Sequence, residues 1–167
     1  MSSSRSSPLV SVSRGALLLA AALAASPAAA EVLAGVDPLA ALGLESLKGR
    51  RVGLITNHTG RTRAGVSTAE VLARSTGLRL AALFSPEHGF AGDIEDAAVS
   101  SGTVTLKDGR TLPLYSLYGS TFAPTPAMLQ GLDALVFDVQ DAGARFYTYS
   151  TTMALALEAA AKAGMLF

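Results

Sequence analysis

Leu78-Arg79-Leu80-Ala81-Ala82-Leu83-Phe84-Ser85-Pro86-Glu87-His88-Gly89-Phe90 decides how this chain is read. An apolar run stops abruptly at a proline, an acid, an imidazole and a glycine, the pattern of a buried strand closed by turn residues. The polar cluster then lies on the loop at that strand's C-terminal end, where open α/β sheets hold their ligands. A carboxylate beside a histidine in that place can carry general acid–base chemistry once its surroundings move the two pKa values. A solvated turn with no chemical role has the same local sequence.

Two further stretches share the design. Ala134-Leu135-Val136-Phe137 is a short buried-strand pattern that runs into Asp138, Gln140, Asp141, Arg145, Tyr147 and Tyr149. Val52-Gly53-Leu54-Ile55 opens into Thr56-Asn57-His58-Thr59-Gly60. If the three strands are parallel neighbours, their loops converge on one crevice.

The remaining elements follow from local signals. Ser67 caps a helix through Arg74, with Glu70 three residues on in a capping-box pattern. Lys107-Asp108-Gly109-Arg110 turns a hairpin between Thr103–Leu106 and Thr111–Tyr115. Thr125 caps a short helix whose first residue is Pro126. An alanine-rich helix runs from about Thr151 to Ala163, with Met153, Leu155 and Leu157 expected in the core. The strands are expected over Arg51–Ile55, Leu78–Phe84 and Ala134–Val139. The order β-α-β-hairpin-α-β-α predicts an α/β fold, a mostly parallel sheet with helices on its faces. No glycine-rich nucleotide motif follows any strand, so no nucleotide cofactor is expected.

The first thirty residues have a different character. Arg5 and Arg14 precede a short apolar run from Gly15 to Ala25, and Ala28-Ala29-Ala30 is a small-residue cleavage site before Glu31. That is the pattern of a secretory signal peptide cleaved after Ala30, which predicts a periplasmic or secreted protein with no stable membrane insertion after processing. The apolar run is shorter than the ~20 residues a bilayer span needs. The segment holds two of the 13 basic residues and none of the 13 acidic ones, so the remainder is acidic by two. Nothing resembles the basic patch that a phosphate backbone requires, so no nucleic-acid partner is expected. Cysteine is absent, which excludes thiolate nucleophiles and cysteine-based zinc sites. At the other end, Gly164-Met165-Leu166-Phe167 reads as a helix stop followed by the first residues of another buried strand. On that reading the chain is truncated, weakly active or inactive, and poorly stable, because a cut strand leaves apolar surface and backbone groups without partners.

Four segments taken together resemble a known family. Arg51–Gly60, Leu83–Phe90, Leu114-Tyr115-Ser116-Leu117-Tyr118-Gly119 and Val136–Tyr149 are similar to the exo-β-N-acetylmuramidase (NamZ-like) family, over about Val36 to Gly164. The resemblance implies an exported glycoside hydrolase that releases N-acetylmuramic acid from the non-reducing end of peptidoglycan fragments. It also implies a Rossmann-like N-terminal domain, here residues 31–167 and incomplete, followed by a C-terminal domain, with the active site between the two.

Under that resemblance Glu87 matches the glutamate the family is thought to use catalytically. Glycosidases generally pair a protonated carboxyl with an ionised one. Glu87 is the candidate acid, its pKa expected to rise by desolvation near Phe84, Pro86 and Phe90. The partner is Asp138 or Asp141. His88 either orients the loop, the favoured role, or transfers a proton. Asn57 and His58 either touch ligand or hold a tight turn. Arg145 either binds the lactyl carboxylate of muramic acid or pairs with Asp138 or Asp141. Tyr118, Tyr147 and Tyr149 either stack on sugar rings or belong to the core. Two other classes stay open: a non-catalytic periplasmic sugar-binding module, and a metal-dependent hydrolase using His58 and His88 with Asp93 or Asp138. The two histidines lack the helix spacing of a metal motif, and no metal is expected.

Overall fold

The computed structural model describes residue 33 and residues 35–42, 44–95 and 97–167. The expected signal peptide lies outside the described residues. Residues Leu33–Phe167 cluster as one unit. Helix α1 (Val36–Leu42) and a 3-10 turn (Glu45–Leu47) lead into strand β1 (Arg51–Thr56). Then come α2 (Thr68–Arg74), β2 (Arg79–Ser85), β3 (Gly102–Thr105), β4 (Thr111–Ser116), α3 (Pro126–Leu129), β5 (Ala134–Asp138) and α4 (Tyr149–Lys162). The strands form one sheet in the order β3-β4-β2-β1-β5. β1 pairs in parallel with both β2 and β5, β2 pairs in parallel with β4, and of these strands only β3 runs antiparallel, as the first arm of the hairpin. This is the mostly parallel α/β sheet that the order of sequence signals predicts.

The period of two along β1 and β5, and along β2 beyond a register shift between Leu80 and Ala82, sorts side chains to two cores. Val52, Leu54, Leu80, Leu83 and Ala134 join Ala69 and Leu72 of α2 on one face. Ile55, Ala82, Phe84 and Leu135 join Leu129 of α3 with Ala156 and Ala160 of α4 on the other. Helices therefore cover both faces. Gly53 lets them close up: a Cβ there would stand 2.8 Å from the side chains of Leu132, Leu135 and Phe84, inside van der Waals contact.

Four expectations need correction. Strand edges move by one residue, to Thr56, to Arg79–Ser85 and to Asp138. The capping box of α2 is half formed. Ser67 accepts from the Glu70 N–H at 3.3 Å, but the Glu70 carboxylate turns to the Lys107 N–H (3.1 Å) and Arg74 (3.4 Å). Met153 and Leu157 are not core: they are 43% and 50% exposed. The buried face of α4 is made of Tyr149, Thr152, Ala156 and Ala160, small or hydroxylated residues that sit three and four apart on one helical face. Past α4, Leu166 forms a parallel bridge to Ala134, with the Leu135 N–H donating to the Leu166 carbonyl at 2.8 Å. The expected buried strand is thus a single bridge at the β5 edge, and Leu166 and Phe167 stay exposed.

Candidate active site

The loop after β2 is held by its own backbone. Ser85 and Pro86 are buried, the Gly89 N–H donates to the Pro86 carbonyl (3.1 Å), and His88 and Gly89 take left-handed φ values of 67° and 79°. Left-handed backbone is uncommon for a non-glycine residue, and His88 is fixed in it from both sides. Its Nδ1 lies 2.9 Å from the Ile94 carbonyl, and the Ile94 N–H donates back to the His88 carbonyl at 3.2 Å. A carbonyl only accepts, so Nδ1 carries the proton of that bond. The imidazole is thereby an orienter of the loop.

This turn aims Glu87 at the groups that follow β4 and β5. Its Oε2 accepts from the Thr148 hydroxyl at 2.5 Å, and the Tyr118 hydroxyl bonds to the same carboxylate. Burial pushes the Glu87 pKa up, but the bonds from Thr148 and Tyr118 and the charge of His88 outweigh it, so the net shift is downward. This corrects the expectation of a raised pKa. Three partners stabilise the ionised form more than partial burial penalises it, and Glu87 is a carboxylate at neutral pH.

Glu87 stands at a pocket of about 430 Å³ with Tyr118, Phe122, Gly119, Ala97 and Ala98. Tyr118 and Phe122 meet edge-to-face with centroids 5.6 Å apart, a corner of two aromatic surfaces beside a carboxylate. A larger hollow of about 530 Å³ lies between α3 and α4, among Leu129, Leu132, Leu155 and Met165. It contains none of the loop chemistry, so the smaller pocket is the candidate site.

The loops after β1 and β5 lock together beside it. Asn57 is buried; its Oδ1 accepts from the Thr59 N–H (2.9 Å) and hydroxyl (2.6 Å), while its Nδ2 donates to the Tyr149 hydroxyl at 3.2 Å. The Gln140 N–H in turn donates to the Thr59 hydroxyl at 2.9 Å. Burial raises the Tyr149 pKa; Asn57 opposes the rise, and the charges of Glu87, Tyr147 and Asp141 add to it. Asp141 accepts from the Gly143 N–H through Oδ1 at 2.6 Å, while its Oδ2 is buried with no hydrogen-bond partner. Tyr147 is exposed and meets Tyr149 edge-on, with centroids 5.9 Å apart.

Other sequence candidates lie apart from this group. The Asp138 carboxylate accepts from the Thr68 hydroxyl at the start of α2, and its carbonyl accepts from the Thr56 hydroxyl at 2.7 Å. His58 is exposed against Gly92 in a second hollow shared with Arg61, Phe90 and Lys107. Gly92 has φ +77°, and a Cβ there would collide with the imidazole. Arg145 is exposed and forms no ion pair with Asp138 or Asp141. Among the described residues no three histidines or carboxylates gather as a metal-ligand set. Sequence reasoning missed Thr148 and Phe122. A threonine directly ahead of a helix is a cap signal, and it could have drawn attention to Thr148.

Residues 52–167 match the family described as exo-beta-N-acetylmuramidase NamZ, N-terminal. The chain belongs to this NamZ family. The chain is 44% identical over 137 residues to the peptidoglycan beta-N-acetylmuramidase NamZ of Bacillus subtilis (strain 168), covering 82% of this chain and 33% of that protein. Crystal structures of two DUF1343 family proteins from Bacteroides fragilis share the fold. One has a TM-score of 0.68 at 44% identity, over 80% of this chain and 32% of that one. The other has a TM-score of 0.63 at 29% identity, over 81% and 33%. The chain thus spans about a third of the length of these NamZ and DUF1343 proteins.

Proposed function

We propose that this chain carries the Glu87-centred part of an exo-β-N-acetylmuramidase site, acting on saccharides derived from peptidoglycan. The observation that carries this reading is the Glu87 carboxylate, held by Thr148 and Tyr118 at the mouth of the aromatic-lined pocket. The description of the Bacillus subtilis relative supports the substrate class. Glycoside hydrolysis needs one ionised carboxyl and one proton donor. Glu87, with its lowered pKa, fits the ionised member. Asp141, with a buried and unpartnered oxygen, fits the second carboxyl better than Asp138, whose carboxylate is occupied by Thr68. Arg145, exposed and without an ion pair among the described residues, fits a role in taking the lactyl carboxylate bidentately.

The test is release of N-acetylmuramic acid from a chromogenic β-N-acetylmuramide by the 167-residue chain, with carboxyl titrations and binding shifts followed by NMR. N-acetylmuramic acid should perturb Tyr118 and Phe122 more than N-acetylglucosamine does. Equal responses to the two sugars, together with no turnover, would sink the reading. Arg145→Ala should weaken binding of the muramic sugar alone. The reading includes export: mature protein should begin at Glu31, and a cytoplasmic product retaining Met1 would refute that part.

A further inference from the structure

We infer that Thr148 is the positioning residue of the Glu87 carboxylate, its hydroxyl turned away from the helix it precedes so as to hold that group against Tyr118. The inference rests on the reading of Glu87 as a site carboxylate, and it is argued from a contrast within the chain. Three helices follow a hydroxylated residue at the N-cap position. Ser67 (φ −65°, ψ 147°) accepts from the Glu70 N–H, and Thr125 (φ −81°, ψ 159°) accepts from the Met128 N–H. Both have the extended backbone that an N-cap side chain needs to reach back over the first turn. Thr148 has φ −93° and ψ −11°, and makes no side-chain cap bond. A helical backbone at the cap position swings the hydroxyl away from the free N–H groups of α4 and toward the β2 loop.

That backbone is itself held. The Thr148 carbonyl accepts from the Thr152 N–H at 2.9 Å and from the Thr152 hydroxyl at 3.2 Å, and Thr152 is buried in the helix–sheet contact. The chain of bonds runs from the core through Thr152 to Thr148 to the carboxylate. The titratable groups facing Glu87 are His88 on its own loop, Tyr118 after β4 and Tyr149 on α4. A hydroxyl can donate to a carboxylate at any pH where the acid is ionised, so Thr148 favours the charged form without titrating itself.

The experiment is a carboxyl titration of Glu87 in the 167-residue chain labelled with ¹³C at glutamate, its signal assigned by loss in Glu87→Gln. Thr148→Val keeps the shape and removes the donor; it should raise the Glu87 midpoint by about one pH unit, and Thr148→Ser should return it to the parent value. A midpoint identical in parent and Thr148→Val overturns the inference, as does a Thr148→Ser variant that titrates like Thr148→Val. If Thr148→Val does not fold, Thr148→Ala carries the same expectation, and an unmoved midpoint there overturns it equally. The titration needs no substrate. A chain that responds equally to the two sugars and does not turn over, but shows these shifts, therefore refutes the glycosidase reading and leaves Thr148 in place, whereas unmoved shifts in a chain that prefers the muramic sugar do the reverse.

Discussion

Two threonine–carboxylate pairs sit on opposite sides of the sheet. Thr68 and Asp138 meet on the α2 face, where the helix beside them has its own cap in Ser67. Thr148 and Glu87 meet beside α4, where the helix has no side-chain cap and the carboxylate faces a pocket. The first pair ties the end of β5 to α2, and the helix beside it keeps its N-cap bond. The second breaks one local preference, the N-cap, to fix a charge. Departures of this kind concentrate where a protein needs geometry more than stability.

The largest expected effect separates the pairs by activity. Glu87→Gln keeps the shape of the pocket and, in a full-length homologue built on this domain, should reduce muramide turnover by at least ~10², with a melting temperature only slightly below that of the parent at neutral pH. Equal initial rates in the two proteins would take Glu87 out of the chemistry and leave the two carboxylates alike. Next in size is the converse. Thr68→Val leaves the half-buried Asp138 carboxylate short of a donor and should cost ~1–2 kcal/mol in a denaturant melt, while the Glu87 titration midpoint stays where it was. A shifted midpoint would mean that the two faces are coupled and the contrast is false. Ser67→Ala should lower stability by ~1 kcal/mol, the usual worth of a cap; an unchanged urea midpoint would show that α2 does not use its cap either.

The smallest effect is a dependence on pH. Folding lowers the Glu87 pKa, so the folded state binds that proton more weakly than the unfolded chain does. The resulting stability is complete above the ordinary carboxyl range and is lost as pH falls through the folded value. The difference in melting temperature between parent and Glu87→Gln should therefore narrow on going from about pH 6 to about pH 3. A gap that stays constant over that interval would contradict the lowered pKa.

Much of this architecture is legible in the chain because it is written in short-range signals. Short apolar runs closed by turns, such as Val52–Ile55 and Ala134–Phe137, locate β1, β2 and β5 to within a residue. Ser67, Thr125 and Pro126 announce their helices by known cap chemistry. The same period of two also separates Asp138 from Glu87: Ala134 and Val136 face the α2 core, and Asp138 continues their parity. What the sequence conceals is set by partners far along the chain. The pKa of Glu87 is governed by Thr148, 61 residues away, and no local reading of Pro86-Glu87-His88 contains that donor. The exposure of Met153 and Leu157 is hidden for a related reason. Helical spacing marks both them and the alanines as apolar, and only the sheet decides which stripe faces inward.

The alanine stripe of α4 has a mechanical meaning. Ala156 and Ala160 are fully buried against the sheet, so almost no side-chain thickness separates the helix axis from the strands. That separation fixes how far the first residue ahead of the helix extends over the β2 loop. Replacing either alanine with a leucine would act as a shim under a lever. The helix would lift by the width of the added carbons, its free end would swing by more, and Thr148 would lose its reach to Glu87 although neither residue had been altered. The tolerance of the site is therefore set two turns down the helix, by residues that carry no chemistry.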